Sequence, residues 1–493
     1  MLTSRKNRSS RVYLLVGFMV VAGTACSVPR AVEQPGLQAP IGETSDVNAT
    51  DGDGSTSLLW ASHRDDLESV NRLLRAGADV NKANDLGATP LWAASVNANP
   101  EMVRRLLDAG ADANLALRHG ESPLMAAARS GNPEVVQLLL QHGADPQTRG
   151  PRQQTALMWA AAQGHAEVVG LLIQNGADVH ARSETWRLFM AQPPAPHPQH
   201  RGWFEHGGNT ALLFAVQVGE LESVRLLLDA GAHVNDRTAW GISALTLAAY
   251  SNFGPLIASP PFSGGGPYHI GGRERFGTGQ HEDIVRLLLE AGADPDLGAA
   301  QFTALHAAIM RRDEGIVDKL LEYGANPNLT LGSWTPQHRG SATDFYFHRS
   351  WVGASPAWLA ARFSTPYILR RILDHGGDAR FTHRGEHYQT GQGGGGELAP
   401  PVADISTPLM AAMGMSRLGS EWVFRDRRSP SFETEILEKT NILLDAGVDV
   451  NAVNDHGETA LDGAVQSELE SVAALLRQVG ASERRRETGA REP

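Results

Sequence analysis

Two kinds of apolar run alternate along this chain. One is short, alanine-rich and opened by Thr or Ser. The other carries Val and Leu at helical spacing and closes on Gly-Ala-Asp or a near variant. The stretch from Ser122 to Asp145 shows both. Ser122 suits a helix N-cap, and Pro123 suits the first turn, where the missing N–H has no partner to lose. The alanines after Met125 allow a neighbouring helix to approach closely, and Gly131 ends the run. Pro133 starts a second helix, Val135, Val136, Leu138, Leu139 and Leu140 give it a broad apolar stripe, and Gly143 fits a left-handed C-terminal cap. The residues that follow are polar or turn-forming. The pattern predicts two antiparallel helices and a hairpin.

The unit recurs. Its openers are Thr56, Thr89, Ser122, Thr155, Thr210, Ser243, Thr303, Ser355, Thr407 and Thr459. Its closers are Gly77, Gly110, Gly143, Gly176, Gly231, Gly292, Gly324, Gly376, Gly447 and Gly480. Eight of the ten opener-to-closer distances are 21 residues, and five of the nine closer-to-opener distances are 12, so the basic period is 33. A period of this size implies a solenoid, in which no unit buries a core alone and each stacks on its neighbours. The phrases Thr89-Pro-Leu-Trp-Ala-Ala, Thr303-Ala-Leu-His306-Ala-Ala, Gly164-His165-Ala-Glu-Val-Val-Gly-Leu-Leu and Gly77-Ala-Asp-Val-Asn81 resemble the ankyrin repeat. The resemblance implies an all-α repeat solenoid of about ten helix-turn-helix units, with β-hairpin fingers and long loop insertions. Ser45-Asp-Val-Asn48 reads as a further hairpin without helices. The family's usual His at the fourth position survives only at His306. Trp92, Met125, Met158, Trp358, Met410 or Asp462 stands there elsewhere, so bulkier packing is expected to replace its hydrogen bond.

The N-terminus carries a separate signal. Arg5, Lys6, Arg8 and Arg11 precede an apolar stretch from Val12 to Ala22, then Gly23-Thr-Ala-Cys26. Residues 1–25 read as a secretory signal peptide, too short for a membrane span. The last four residues resemble a bacterial lipobox, which implies lipidation of Cys26, the sole cysteine, and an exported protein of the periplasm or outer membrane. Ser27 resembles the outer-membrane sorting pattern. The other reading is ordinary cleavage after Ala25, leaving a free thiol. Residues 26–43 form a flexible tether, 44–482 the repeat domain and 483–493 a charged tail. The net charge of −12 argues against nucleic acid and against electrostatic binding to anionic lipid. Contact with a membrane is expected only through an N-terminal lipid.

Where the period breaks, residues have been inserted, near 183–207, 253–280, 330–353, 382–405 and 416–435. Loops of such length are often functional. Those on the hairpin side are rich in aromatics, which suits protein or carbohydrate contacts better than phosphate. Trp186, Trp203, Phe204, Trp334, Phe345, Tyr346, Trp351 and Tyr388 are the candidate partner-binding residues, with Trp203, Trp334 and Trp351 as anchors. Alternatively, these side chains pack back on the hairpins as satellite cores. His197-Pro-Gln-His200 with His206 has a spacing a metal could use. The prolines splay it, however, and no Cys or carboxylate pair completes it, so no metal or other cofactor is expected. No Gly-x-Ser-x-Gly, His-Glu-x-x-His or cysteine nucleophile is present. The expectation is a non-catalytic scaffold binding a partner protein or peptide. The alternative is a carbohydrate- or peptidoglycan-binding accessory protein using the same loops.

Overall fold

The computed structural model describes residues 46–191, 201–250, 280–298, 302–333, 349–387, 402–415 and 430–483. Within them, helices follow one another in pairs. The first five pairs are α1 (Ser57–His63) with α2 (Leu67–Arg75), α3 (Pro90–Asn97) with α4 (Pro100–Asp108), α5 (Pro123–Ser130) with α6 (Pro133–Gln141), α7 (Ala156–Gln163) with α8 (Ala166–Gln174), and α9 (Ala211–Val218) with α10 (Leu221–Asp229). The next are α11 (Ala244–Tyr250) with α12 (His281–Glu290), α13 (Ala304–Arg311) with α14 (Glu314–Glu322), and α15 (Pro356–Phe363) with α16 (Pro366–Asp374). The last are α17 (Pro408–Ala412) with α18 (Pro430–Asp445), and α19 (Ala460–Gln466) with α20 (Glu470–Gln478).

Local chemistry starts and stops these helices where the pattern indicates. The hydroxyls of Thr56, Thr89, Ser122, Thr155, Ser355, Thr407 and Thr459 each accept the N–H three residues on, at 3.1–3.4 Å. Pro90, Pro123, Pro356 and Pro408 take the first turn behind them. Gly131 ends α5 in the left-handed conformation at φ 84°, and a Cβ there would lie 2.4 Å from the His165 ring, so both backbone and space demand glycine.

First helices stack on first helices, and from α4 onward second helices stack on second. The core runs continuously between the two layers. Leu124, Ala127 and Ala128 of α5 meet Val135 and Leu139 of α6, all 0–1% exposed. At the fourth position His306 is fully buried, and its Nδ1 accepts the Thr303 N–H at 3.0 Å. Burial pushes its pKa down to about 4, against an opposing pull from the Leu329 backbone.

The fingers differ from the expectation. A regular antiparallel hairpin occurs twice among the described residues, as β1 (Thr185–Ala191) with β2 (Arg201–Gly207) and β3 (His383–His387) with β4 (Val402–Ser406). In the twelve-residue intervals, which are described throughout, the finger is a tight turn. In the turn before α3, Asn84 Oδ1 accepts the N–H of Leu86 and Ala88, and the Asn84 N–H donates to Ala88 O at 3.0 Å. The twelve-residue interval is used up by this side-chain-closed turn, leaving no length for a ladder.

A ridge of polar bonds ties one finger base to the next at every joint but that between the fourth and fifth pairs. Four residues past each closing glycine, Asn81 donates to Gly110 O (3.1 Å) and accepts from the Asp112 N–H (2.8 Å). Asn114, Asn328 and Asn451 repeat both bonds one joint along. Gln147 makes both with its longer side chain, Asn235 and Asp296 accept only, and Arg380 donates only. Asn48, from the half-unit before the first pair, accepts from Asp79 N–H at 2.7 Å in the same register.

One helix breaks the pattern of length. α18 has 16 residues, against nine in α16 and α20. The final residues of the insertion expected at 416–435 therefore begin this helix from Pro430. Its extra turns reach both ways. Glu435 accepts from Arg312, in the turn between α13 and α14, at 2.9 Å, and Glu433 accepts from the Ser471 N–H of α20 at 2.6 Å. Glu435 also pairs with Lys439 at 2.8 Å, a lysine only 2% exposed.

Candidate binding surface

The hairpin β1–β2 is the most elaborate finger described, and its base is bonded to both neighbours. Glu184 N–H donates to Arg152 O of the preceding finger at 2.7 Å, and Ala239 N–H of the following finger donates to Gly207 O at 2.9 Å. Arg182 reaches Gly208 O (2.8 Å) and Arg237 O (2.9 Å) and pairs with buried Asp236. Gly207, at φ 81°, lies so close to Glu184 that a Cβ would strike its carbonyl oxygen and the Trp186 ring.

Antiparallel register gives the hairpin two faces. Trp186 stands opposite His206, and their rings stack at 5.9 Å and 19°. The Arg152 guanidinium lies 4.0 Å over the Trp186 ring, so this face is held against the preceding finger. On the other face Arg187 pairs with Glu205 at 3.2 Å, both well exposed, and Trp203 is 66% exposed. Phe204 lies on β2 opposite Leu188.

The second hairpin is built inward. His383 is fully buried and bonds Ser350 O through Nε2 at 2.8 Å. The Trp358 indole N–H donates to Ser406 Oγ at 3.0 Å, and Trp358 and His383 are in ring contact at 4.7 Å. Arg362 lies beneath them, 5.8 Å from the Trp358 ring. Burial lowers its pKa to about 10, and Asp404 pulls the other way. Burial likewise pushes the His383 imidazole down, against its bond to Ser350 O.

Trp351 belongs to this inward cluster, which corrects its assignment as an exposed anchor. It is 8% exposed, in a short 3-10 turn (Arg349–Trp351), with its ring 4.5 Å from that of Phe363. The apolar contact outcompetes solvent exposure because α15 presents Phe363 directly beneath the turn. Trp186 is half-buried between Arg152 and His206. Of the two expected anchors among the described residues, Trp203 is at the surface and Trp351 is not. Trp334, Phe345, Tyr346, Tyr388 and Cys26 lie outside the described residues, as do His197 and His200.

Three further tryptophans lie on the first helices; Trp92 stands out in the sequence only for its place in the repeat, and Trp60 and Trp159 not at all. The Trp60 indole N–H donates to Asp51 Oδ2 of its own finger at 2.7 Å. Trp92 packs with Leu59, Ala88, Ala93 and Leu117, a small cluster apart from the main core. Arg129 lies 5.7 Å over Trp159 and pairs with Glu121 at 2.9 Å. Each is half-buried, and Trp60 and Trp92 touch finger residues. Their signal was positional, three or four residues after the opener.

Family models for ankyrin repeats match residues 30–117, 110–183 and 277–330, and a single ankyrin repeat model matches residues 207–239. No curated protein matches the chain. The chain therefore carries ankyrin repeats, and its helices fit a repeat solenoid.

Proposed function

We propose that this chain of ankyrin repeats is a non-catalytic scaffold that binds a partner protein or peptide along its finger side, with the outer face of the β1–β2 hairpin as the projecting contact. Ankyrin repeats in general bind proteins. One observation carries the choice of site. Trp203 is 66% exposed on a hairpin whose other face is clamped by Arg152, Trp186 and His206. A tryptophan held out on a rigid support loses little freedom when it is covered, which is how interface hot spots arise. The flanking Arg187 and Glu205 supply a polar rim, and half-buried Trp60, Trp92 and Trp159 extend the surface along the array.

We place the protein in a bacterial envelope, anchored through Cys26, on the strength of the basic, apolar and small-residue order of residues 5–26. Cys26→Ala is expected to move it from the membrane to the soluble periplasmic fraction. An unchanged distribution would refute the anchor.

The binding site is tested by passing envelope extract and purified cell-wall polymer over immobilised wild-type and Trp203→Ala protein. Retention of a protein that is lost with Trp203→Ala supports the reading. Equal retention by both proteins removes the hairpin from the site. Retention of the polymer alone would favour the carbohydrate-binding alternative.

A further inference from the structure

The polar ridge misses one rung. At the joint between the fourth and fifth pairs the bridging position is His180, and among the described residues its side chain makes neither the bond to the next Gly O nor that to the next N–H. The residue two past the next closer is Asp or Asn at most joints and bonds the N–H two residues on. Here it is His233, and Asn235 lacks that bond. In place of the rung stand two exposed imidazoles with ring centres 4.4 Å apart and planes inclined at 34°.

We propose that His180 and His233 form a binding site for a divalent late transition-metal ion, copper(II) or nickel(II) ahead of zinc. The spacing carries the argument. A metal about 2.0–2.1 Å from an imidazole nitrogen lies about 3.2 Å from the ring centre, so two imidazoles at a right angle have centres about 4.5 Å apart, and at a tetrahedral angle about 5.2 Å. The observed 4.4 Å matches the right angle, which square-planar or tetragonal copper(II) and nickel(II) adopt and tetrahedral zinc does not. Rotation about each metal–nitrogen bond leaves the angle between the planes free, and both rings are exposed, so settling onto the metal moves only side chains. No third His, Cys, Asp or Glu joins the pair among the described residues, so water fills the remaining positions. The bound ion would join the finger bases at the one joint lacking a side-chain rung. That joint also holds the root of the β1–β2 hairpin, between Gly176 and Gly231. This inference stands apart from the protein-binding reading, since it needs no partner.

The experiment uses the full chain without a polyhistidine tag, stripped with EDTA and titrated with copper(II) by calorimetry and electron paramagnetic resonance. The comparison is with His180→Asn and His233→Asn. Both changes introduce the residue found in the same register elsewhere, at Asn114 and Asn326, so the fold is expected to tolerate them, and circular dichroism checks this. The other histidines of the 18 in the chain give the same background in all three proteins. Each variant is expected to bind one equivalent less than wild type and to lose a spectrum with two-nitrogen coupling. Metal-free His180→Asn is expected to melt at or above wild type, because asparagine can rebuild the rung. Equal stoichiometry and unchanged spectra in both variants would overturn the site, as would a wild-type spectrum without nitrogen coupling.

Discussion

Trp351 and Trp203 are both tryptophans of hairpin insertions, yet truncating them should have opposite consequences. A tryptophan side chain buries about 150–250 Å², which at about 25 cal/mol per Å² is worth roughly 4–6 kcal/mol. Trp351 is 8% exposed, so nearly all of that area is at stake. Its position in a short surface turn lets neighbours collapse partly into the gap, so Trp351→Ala should cost about 3 kcal/mol, the lower end of the range for such core truncations. Trp203 is 66% exposed, and Trp203→Ala should stay within about 0.5 kcal/mol. A repeat array need not unfold in one step, so global melting is a blunt assay. Hydrogen exchange of the α15 amides reads the local change directly, and about 3 kcal/mol is roughly a hundredfold loss of protection. Protection in α15 that is unchanged by Trp351→Ala, or a larger loss from Trp203→Ala, would refute the assignment of inward and outward roles.

Other perturbations test other parts of the structure. Burial holds His281 and His306 near 4, against 6.5 unfolded, so the unfolded chain takes up protons that the folded chain refuses. Stability should therefore be full above pH 6.5 and fall as pH drops towards 4, by on the order of 3 kcal/mol per histidine, and His306→Leu should flatten the urea-midpoint profile across that window. Removing Glu435 strands Lys439 in the interior, so Glu435→Leu should cost about 3–5 kcal/mol, while Lys439→Met should be close to neutral; denaturant titration of the pair decides. Asn114→Ala deletes two exposed bonds of the ridge and should cost about 1 kcal/mol, seen as a lower melting temperature.

The repeating frame was legible because its signals are local. Ser122, Pro123, Gly131 and Pro133 act on their own helix ends, and the stripe from Val135 to Leu140 reports one buried face. The roles of the tryptophans were not legible in the same way. Whether Trp351 points outward depends on Phe363, twelve residues on, and whether Trp186 is free depends on Arg152 of another finger. Composition marked both insertions as aromatic-rich but said nothing of which face each ring would take. The ridge was half visible. The Gly-Ala-Asp-Val-Asn phrase was read as a repeat signature, but the partner of each asparagine lies about thirty residues away or, across an insertion, fifty or more, and only the stacked structure reveals that His180 interrupts the series.

The long α18 changes how the array should come apart. A solenoid in which each unit touches only the adjacent ones behaves as a one-dimensional chain of coupled segments, able to fray from either end. The contact between Arg312 and Glu435 spans from the seventh pair to the ninth, passing over the eighth, and Glu433 continues to the tenth. This adds a second-neighbour coupling to the array. Melting the seventh pair then withdraws one partner from the Glu435–Lys439 pair in the ninth, so the C-terminal third is tied into a single cooperative block, while the regular N-terminal pairs remain free to unravel stepwise.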